Sequence, residues 1–304
     1  MIIPPALKKN DTIGIVCPSG FMEKTKAATC IETLMQWGFQ VKIGKTLGQQ
    51  FHYFSGTDEE RIADFQSMID DDKIHAILCG RGGYGLSRII DKIDFRPLKK
   101  NPKWIIGYSD ITLLHCHLNK KLKIASLHAP MAAAFNDGAD TVYIQSLRNA
   151  LLCKKSNYRI ENHPFNHSGK AEGELIGGNL SLLVNAIGTP SDPNMKDKIL
   201  FIEEVGEYIY TADRMVQQLK RAGWLKQLKG LLIGSFSEMK DTTIPFGQTI
   251  YEVISDAVAE YHFPIGFNFP VGHTPENFAM KCGVKHSLTI DKQGITLKSM
   301  ESIV

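Results

Sequence analysis

The sequence has no apolar run long enough to cross a membrane, and its longest hydrophobic stretches are the length of a β-strand. Its N-terminus also lacks the basic segment and long apolar stretch of a secretory signal. Nor does one sign of charge dominate, since 35 basic against 32 acidic residues give a net charge of +3. We therefore expect a cytoplasmic protein that acts on a small molecule, with neither nucleic acid nor a membrane as partner.

Cysteine is scarce, and none of the six cysteines forms a CxxC pair with another. This scatter predicts reduced, mostly buried thiols. His163 and His167 have the i, i+4 spacing of a zinc-binding helix, but Pro164 stands where that motif carries glutamate. The sequence therefore predicts no metal site in this segment.

Short β-like runs alternate with amphipathic helices in the first half of the chain. Strands are predicted at 11–17, 39–44, 74–79, 103–107 and 123–128, and helices near 23–37 and 58–70. Thr57 and Glu60 have the spacing of a capping box at the start of the second helix. This alternation predicts an N-terminal α/β domain, residues 1–150, on a parallel, Rossmann-like sheet.

The periodicity weakens in a polar segment containing proline and glycine, where we predict a linker over residues 151–172. A C-terminal α/β domain, residues 173–304, follows. Its strands are predicted at 198–204 and 230–236, and its helices from Asn179 and over 211–222. Short strands separated by turn residues end the chain, so we predict a mixed rather than purely parallel second sheet.

The strongest local signal is the run from Gly107 through Tyr108 and Ser109 to Asp110, between an apolar strand and a predicted helix. Strand, sharp turn and helix are the setting of a nucleophile elbow, which presents a serine hydroxyl beside backbone N–H groups that can face an oxyanion. Ile111 replaces the second glycine of the G-x-S-x-G motif. A Ser-Asp pair also serves as an ordinary helix cap.

A serine nucleophile needs a neighbouring base, which is usually histidine. Among ten histidines, His273 stands out because it lies on a loop just past a predicted strand, where α/β proteins carry working groups. The third member should be a carboxylate that orients the imidazole. Glu203 closes a very apolar strand, where a lone charge is costly, but Glu204 and Glu207 remain candidates on sequence alone.

A glycine loop, Gly80 to Gly85, follows a predicted strand and precedes a predicted helix, as in a dinucleotide-binding fingerprint. Two observations argue against that function. The loop follows the third predicted strand rather than the first, and the candidate ribose-binding acid, Asp110, directly follows the candidate nucleophile. In a peptidase the loop would instead bring N–H groups to the scissile carbonyl, and Arg81 could pair with a substrate carboxylate. Asn179, in another glycine turn, either caps its helix or contacts substrate.

Five motifs in chain order resemble the LD-carboxypeptidase family of serine peptidases: RGGYG, GYSDIT, IGGNLSLL, FIEEVGE and the GH pair near the C-terminus. The resemblance spans nearly the whole chain, although Ala129 replaces a glycine of the family's HGPM motif. It implies Ser109 as nucleophile, Glu203 as triad acid and His273 as general base.

The resemblance further implies that oxyanion donors are the backbone N–H groups of Asp110 and of the glycine loop, at Gly82 or Gly83. It implies an active site in the cleft between two domains, a homodimer, and neither metal nor organic cofactor. The implied reaction releases terminal D-alanine from the L,D bond of murein tetrapeptides during peptidoglycan recycling. Substrate-binding candidates are Arg81 and Asn179.

A related branch resembles microcin C immunity proteins, which use the same triad to cleave acyl-sulfamoyl or acyl-phosphoramidate adenylates. That branch carries an added aromatic loop for the nucleobase. In this sequence FIEEVGEYIYTADRM runs directly into a predicted helix without an insertion, which favours the murein peptide.

Overall fold

The chain folds into two β-sheets with helices packed on them, and the computed structural model describes residues 1–300. The strands are β1 (Thr12–Val16), β2 (Gln40–Ile43), β3 (Ile74–Cys79), β4 (Trp104–Gly107), β5 (Ser126–His128), β6 (Asn157–Ile160), β7 (Gly169–Asn179), β8 (Lys198–Val205), β9 (Gly230–Ser237), β10 (Ile265–Gly266), β11 (Met280–Cys282), β12 (Lys285–Asp291) and β13 (Gly294–Ser299). The helices are α1 (Ala28–Gln36), α2 (Asp58–Asp70), α3 (Pro97–Lys100), α4 (Thr112–His117), α5 (Val142–Leu151), α6 (Leu180–Ala186), α7 (Ile209–Arg221) and α8 (Ile250–Val258).

The first sheet has the order β11-β5-β4-β3-β1-β2. Its strands β1 to β5 are parallel, which confirms the parallel sheet predicted for the first half of the chain. The sixth strand, β11, is antiparallel to β5 and comes from the far end of the chain. The sequence did not predict this strand, whose Met280 lies opposite His128.

The second sheet has the order β10-β9-β8-β7-β12-β13-β6. Strands β7 to β10 are parallel and β12, β13 and β6 are antiparallel, so the predicted mixed sheet is confirmed. Strand β6 and the start of β7 fall within 151–172, the segment for which the sequence indicates a linker.

Helix α2 shows how local signals and burial combine in this fold. The Thr57 side chain caps the helix by accepting from the Glu60 N–H, and the Glu60 side chain accepts from the Thr57 N–H. The predicted capping box is therefore confirmed. Phe65, Met68 and Ile69 from the same helix are buried against the first sheet. Burying each of these side chains stabilises the fold by about 1.5–3 kcal/mol.

The carboxyl ends of the parallel strands bring the candidate site residues together, as expected for α/β sheets. The glycine loop follows β3, Ser109 follows β4, and Glu203 lies near the end of β8. His273 lies on the loop that follows β10. In the same loop, the Val271 carbonyl accepts from the N–H of Ser235 in β9, the strand that pairs with β8. The two sheets therefore present their chemical groups to one cleft.

Within residues 1–300, no helix combines the length and the apolar character that a membrane crossing requires. The same part of the chain has no group of three or more His, Cys, Asp or Glu side chains placed to share a metal ion. Five of the six cysteines are buried and Cys153 is half-buried, which confirms the prediction of mostly buried thiols.

Candidate active site

The turn after β4 has the backbone of a nucleophile elbow. Ser109 has φ +64°, in the left-handed region that costs a non-glycine residue about 1–3 kcal/mol. A Cβ at Gly107 would lie 2.8 Å from Ile111 Cγ1, so the tight turn requires glycine there. A 3₁₀ turn from Ser109 to Ile111 leads directly into α4. The predicted strand, turn and helix are thus confirmed, with Ile111 in place of the motif's second glycine.

The glycine loop lies against this elbow. A Cβ on Gly82 would stand 2.8 Å from Ser109 Cβ, 3.0 Å from Ser109 Oγ and 3.4 Å from the backbone nitrogen of Asp110. Gly83 has φ +98°, another left-handed conformation that favours glycine. Only a residue without a side chain at 82 lets the loop backbone come so near to the serine hydroxyl.

The prediction of a helix after the glycine loop is wrong. Two short 3₁₀ turns, Leu86–Arg88 and Ile90–Lys92, stand in its place, because Ile89 at φ −120° interrupts the helical backbone between them. A dinucleotide site needs the N-terminus of a helix to bind the pyrophosphate. The loop therefore lacks the structural context of the dinucleotide-binding alternative.

His273 and Glu203 form the central pair of the site. The imidazole Nδ1 lies 2.7 Å from Glu203 Oε2, and the carboxylate is 0% exposed while the histidine side chain is 18% exposed. Since a carboxylate only accepts, Nδ1 carries the proton and Nε2 of the neutral ring is an acceptor. Gly272 at φ +129° permits this approach, because a Cβ there would lie 2.9 Å from Glu203 Oε2.

The structure separates Glu203 from its rival Glu204. Glu204 is also buried, but its carboxylate accepts from Asn179 Nδ2 at 2.7 Å, from the Ser181 N–H at 2.8 Å and from the Val205 N–H at 2.9 Å. Adjacent residues of a strand point to opposite faces. Glu204 therefore organises the start of α6, and Glu203 is the glutamate that faces the histidine.

Asn179 is the cap of α6, as one of its two predicted roles requires. Its side chain accepts from the Leu182 N–H at 3.3 Å and is 3% exposed. With its amide also bonded to Glu204, the side chain is occupied within the fold and lines neither of the two cavities that adjoin His273.

Opposing effects set the protonation of His273. Burial alone lowers its pKa, but the hydrogen bond and charge of Glu203, together with the charges of Glu204 and Glu238, raise the pKa above its ordinary value. Tyr108 packs edge-on against the imidazole, with ring centroids 4.9 Å apart. Burial raises the pKa of Tyr108 to about 12, so this neighbour is an uncharged phenol near neutral pH.

Two cavities adjoin His273 and Tyr108. The larger, about 580 Å³, is lined by Ser109, the glycine loop, Arg81 and Lys26, while the smaller, about 360 Å³, lies towards Asn277. Cavities of this size accommodate small molecules rather than protein segments. The nucleophile candidate, the histidine and the glycine loop therefore share one space with two cationic side chains.

Comparison with known proteins assigns this chain to a family. Residues 13–129 match the LD-carboxypeptidase N-terminal domain, and residues 172–288 match the LD-carboxypeptidase C-terminal domain. A probable murein peptide carboxypeptidase of Bacillus subtilis is 36% identical over 298 residues, covering 96% of this chain and 93% of the relative. The chain belongs to the LD-carboxypeptidase family.

Two further similar proteins carry different functional names. The crystal structure of muramoyltetrapeptide carboxypeptidase from Oxalobacter formigenes has a TM-score of 0.88 at 26% identity, covering 96% of this chain and all of that one. The microcin C7 self-immunity protein MccF of Escherichia coli is 26% identical, covering 97% of this chain and 95% of its own. Family membership makes this LD-carboxypeptidase a serine-type hydrolase.

The structure adds residues that sequence reasoning did not select in this LD-carboxypeptidase. Tyr108 contacts the histidine, and Asn277 accepts from the Gly272 N–H at 3.2 Å, which steadies the loop that carries His273. Lys26 lines the cavity of the nucleophile. Tyr108 had a signal in its place beside Ser109. Lys26 had none, because it comes from a segment far from Ser109 in sequence, and Asn277 had none because no motif marks a side chain that bonds to a loop five residues earlier.

Proposed function

We propose that this LD-carboxypeptidase releases terminal D-alanine from murein tetrapeptides through a triad of Ser109, His273 and Glu203. The observation that carries this proposal is the bond between His273 Nδ1 and Glu203, which leaves Nε2 as an acceptor beside the cavity of Ser109. Similarity to a probable murein peptide carboxypeptidase supports the choice of substrate.

In the proposed mechanism, His273 Nε2 takes the proton of Ser109 while Oγ attacks the carbonyl that precedes D-alanine. The backbone N–H groups of Asp110 and of Gly82 or Gly83 hold the oxyanion. The protonated imidazole then gives its proton to the leaving amine. Water, activated by the same histidine, hydrolyses the acyl-enzyme, so neither metal nor organic cofactor takes part.

A carboxypeptidase must also recognise the terminal carboxylate, and we assign this role to Arg81. Its Nη1 donates to the Phe21 carbonyl at 2.7 Å, which holds the guanidinium at the rim of the Ser109 cavity while leaving other donors available. We further propose that the enzyme is cytoplasmic and works as a homodimer. Size-exclusion chromatography with light scattering measures the oligomeric state directly.

The test of the proposed function is mass spectrometry of L-Ala-D-Glu-mDAP-D-Ala incubated with the protein. Loss of one alanine is the expected result. An intact tetrapeptide would overturn the murein assignment. An aminoacyl-sulfamoyl adenylate forms the second arm, because similarity to MccF makes cleavage of such adenylates the second candidate function.

The contact between the glycine loop and the elbow yields a prediction. In the Gly82→Ala variant, the new methyl group would push the loop from Ser109 and misplace the oxyanion donors, so kcat/KM should fall about 100- to 1,000-fold. Gly169→Ala is the matched control, because a Cβ there meets its nearest atom at 3.4 Å, an ordinary contact. Unchanged kcat/KM in Gly82→Ala would contradict the proposed oxyanion hole.

A further inference from the structure

The Asp110 side chain is not used as a helix cap, although it stands at the start of a helical segment. Neither the 3₁₀ turn nor α4 has a side-chain cap bond at its N-terminus. Instead, Asp110 Oδ2 accepts from Ser19 Oγ at 2.6 Å and from the Leu86 N–H at 2.9 Å. These partners lie 91 and 24 residues away in sequence, and the carboxylate is buried.

These bonds connect three segments that meet at the proposed oxyanion hole. Asp110 belongs to the elbow, Leu86 directly follows the glycine loop, and Ser19 follows β1. The residue after Ser19, Gly20, donates its N–H to the Gly82 carbonyl at 3.0 Å. The segment after β1 therefore bonds to the elbow through a side chain and to the glycine loop through the backbone.

Arg61 supports the same loop from a separate direction. Its buried guanidinium donates through Nη1 to the Pro18 carbonyl at 2.6 Å and to the Gly85 carbonyl at 3.1 Å. Burial raises the pKa of Asp110, and the bonds from Ser19 and Leu86 and the charge of Arg61 only partly oppose that rise. A carboxyl group is therefore held in this costly environment at the junction of the three segments.

We propose that the Asp110 carboxyl group is a positioning group for the oxyanion hole, acting through Ser19 and the Leu86 N–H. It fixes the distance between the backbone N–H of the elbow and those of the glycine loop. This inference rests on the proposed function and adds to it a side chain whose role is separate from the Asp110 backbone donor. Because donors placed in advance act on the transition state, their loss lowers kcat rather than raising KM.

The experiment compares Ser19→Ala, Asp110→Ala and Asp110→Asn in tetrapeptide hydrolysis and in labelling of Ser109 by a fluorophosphonate. Ser19→Ala removes one bond and should lower kcat about tenfold. Asp110→Ala should lower kcat about 100- to 1,000-fold, as loss of an oxyanion donor does. Both should leave KM within about twofold, and asparagine, which can accept both bonds, should restore most of the activity.

The double variant of Ser19 and Asp110 supplies a further test. If the two residues act through one bond, adding Ser19→Ala to Asp110→Ala should have little further effect on kcat. Ser55→Ala is the matched control, because its buried hydroxyl donates to the Cys17 and Ser19 carbonyls without touching Asp110, and the Ser55 N–H keeps its own bond to the Ser19 carbonyl in the variant. It should lower the melting temperature while kcat and labelling stay near wild type.

A fall in melting temperature with unchanged kcat and labelling in Ser19→Ala would overturn the proposal, as would a raised KM at constant kcat. Should Asp110→Ala not fold, Ser19→Ala and Asp110→Asn still decide the question. Labelling keeps the two proposals distinct. A wild-type protein that reacts with the fluorophosphonate but leaves the tetrapeptide intact refutes the murein substrate, while the relative labelling rates still test the role of Asp110.

Discussion

Replacing Ser109 by alanine should abolish D-alanine release, with a fall in kcat of about a million-fold. The variant loses the attacking oxygen, so no acyl-enzyme can form, and only substrate binding and the oxyanion donors remain. Alanine tolerates φ +64° about as poorly as serine does, so the elbow should keep its backbone and the fold its stability. Mass spectrometry of the tetrapeptide products and fluorophosphonate labelling measure the two losses.

Ser87→Ala is the matched control for this experiment. Ser87 is exposed in the 3₁₀ turn after the glycine loop, so its hydroxyl is close in sequence to the site but solvent-facing. Its variant should cleave and label like the wild type. If Ser109→Ala retained more than a thousandth of the wild-type kcat, Ser109 would not be the nucleophile.

The second large effect is expected from Glu203→Gln, which should lower kcat about ten-thousand-fold. The carboxylate accepts from His273 Nδ1, whereas a glutamine amide can donate to that nitrogen and so favour the wrong tautomer. In that tautomer Nε2 carries a hydrogen and cannot take the serine proton. Steady-state kinetics with the tetrapeptide across a range of pH measure the loss.

The pH profile should shift in a defined direction. His273 acts as a base only when neutral, and its pKa lies above the ordinary value of about 6.5, so wild-type kcat/KM should rise as pH increases through that raised pKa. Glu203→Gln removes the strongest raising influence, so that burial, which lowers the pKa, is opposed only by the charges of Glu204 and Glu238. The acidic limb of the variant should therefore move to lower pH.

Glu204→Gln separates this role from a general need for buried charge. Glu204 bonds to Asn179 and to two backbone N–H groups, so weakening these bonds should cost about 1–3 kcal/mol of unfolding free energy. Its acidic limb should move to lower pH by less than that of Glu203→Gln, because Glu204 raises the pKa of His273 by its charge alone, without a hydrogen bond to the imidazole. If Glu204→Gln, rather than Glu203→Gln, showed the ten-thousand-fold loss in kcat, the assignment of the triad acid would be reversed.

The elbow and the histidine were predictable because their chemistry restricts the residue type and its place after a strand. The choice between Glu203 and Glu204 was not, because alternation along β8 places them on opposite faces without indicating which face meets His273. The Asp110 side chain was equally hidden. Its partners Ser19 and Leu86 come from other segments, and spacing carries no signal for such contacts.

The failures in predicting the fold also have physical causes. The run after the glycine loop has helical periodicity, and its apolar residues Leu86, Ile89, Ile90 and Ile93 are all buried, but two 3₁₀ turns bury them as well as one helix would. Strand β11 has three residues and depends on a partner more than 150 positions earlier, so no local pattern marks it. Pairing with distant strands likewise gives structure to β6, where the local sequence is polar.

Strand β11 also determines when the site can be completed during synthesis. The edge of β5 gains its antiparallel neighbour only after the ribosome has made Met280 to Cys282, and β5 in turn pairs with β4, which ends at the elbow. Glu203 and His273 are likewise made long after Ser109. A nascent chain would therefore carry an unfinished sheet and a serine without its proposed partners, so we expect no hydrolysis before the residues up to Cys282 have been made.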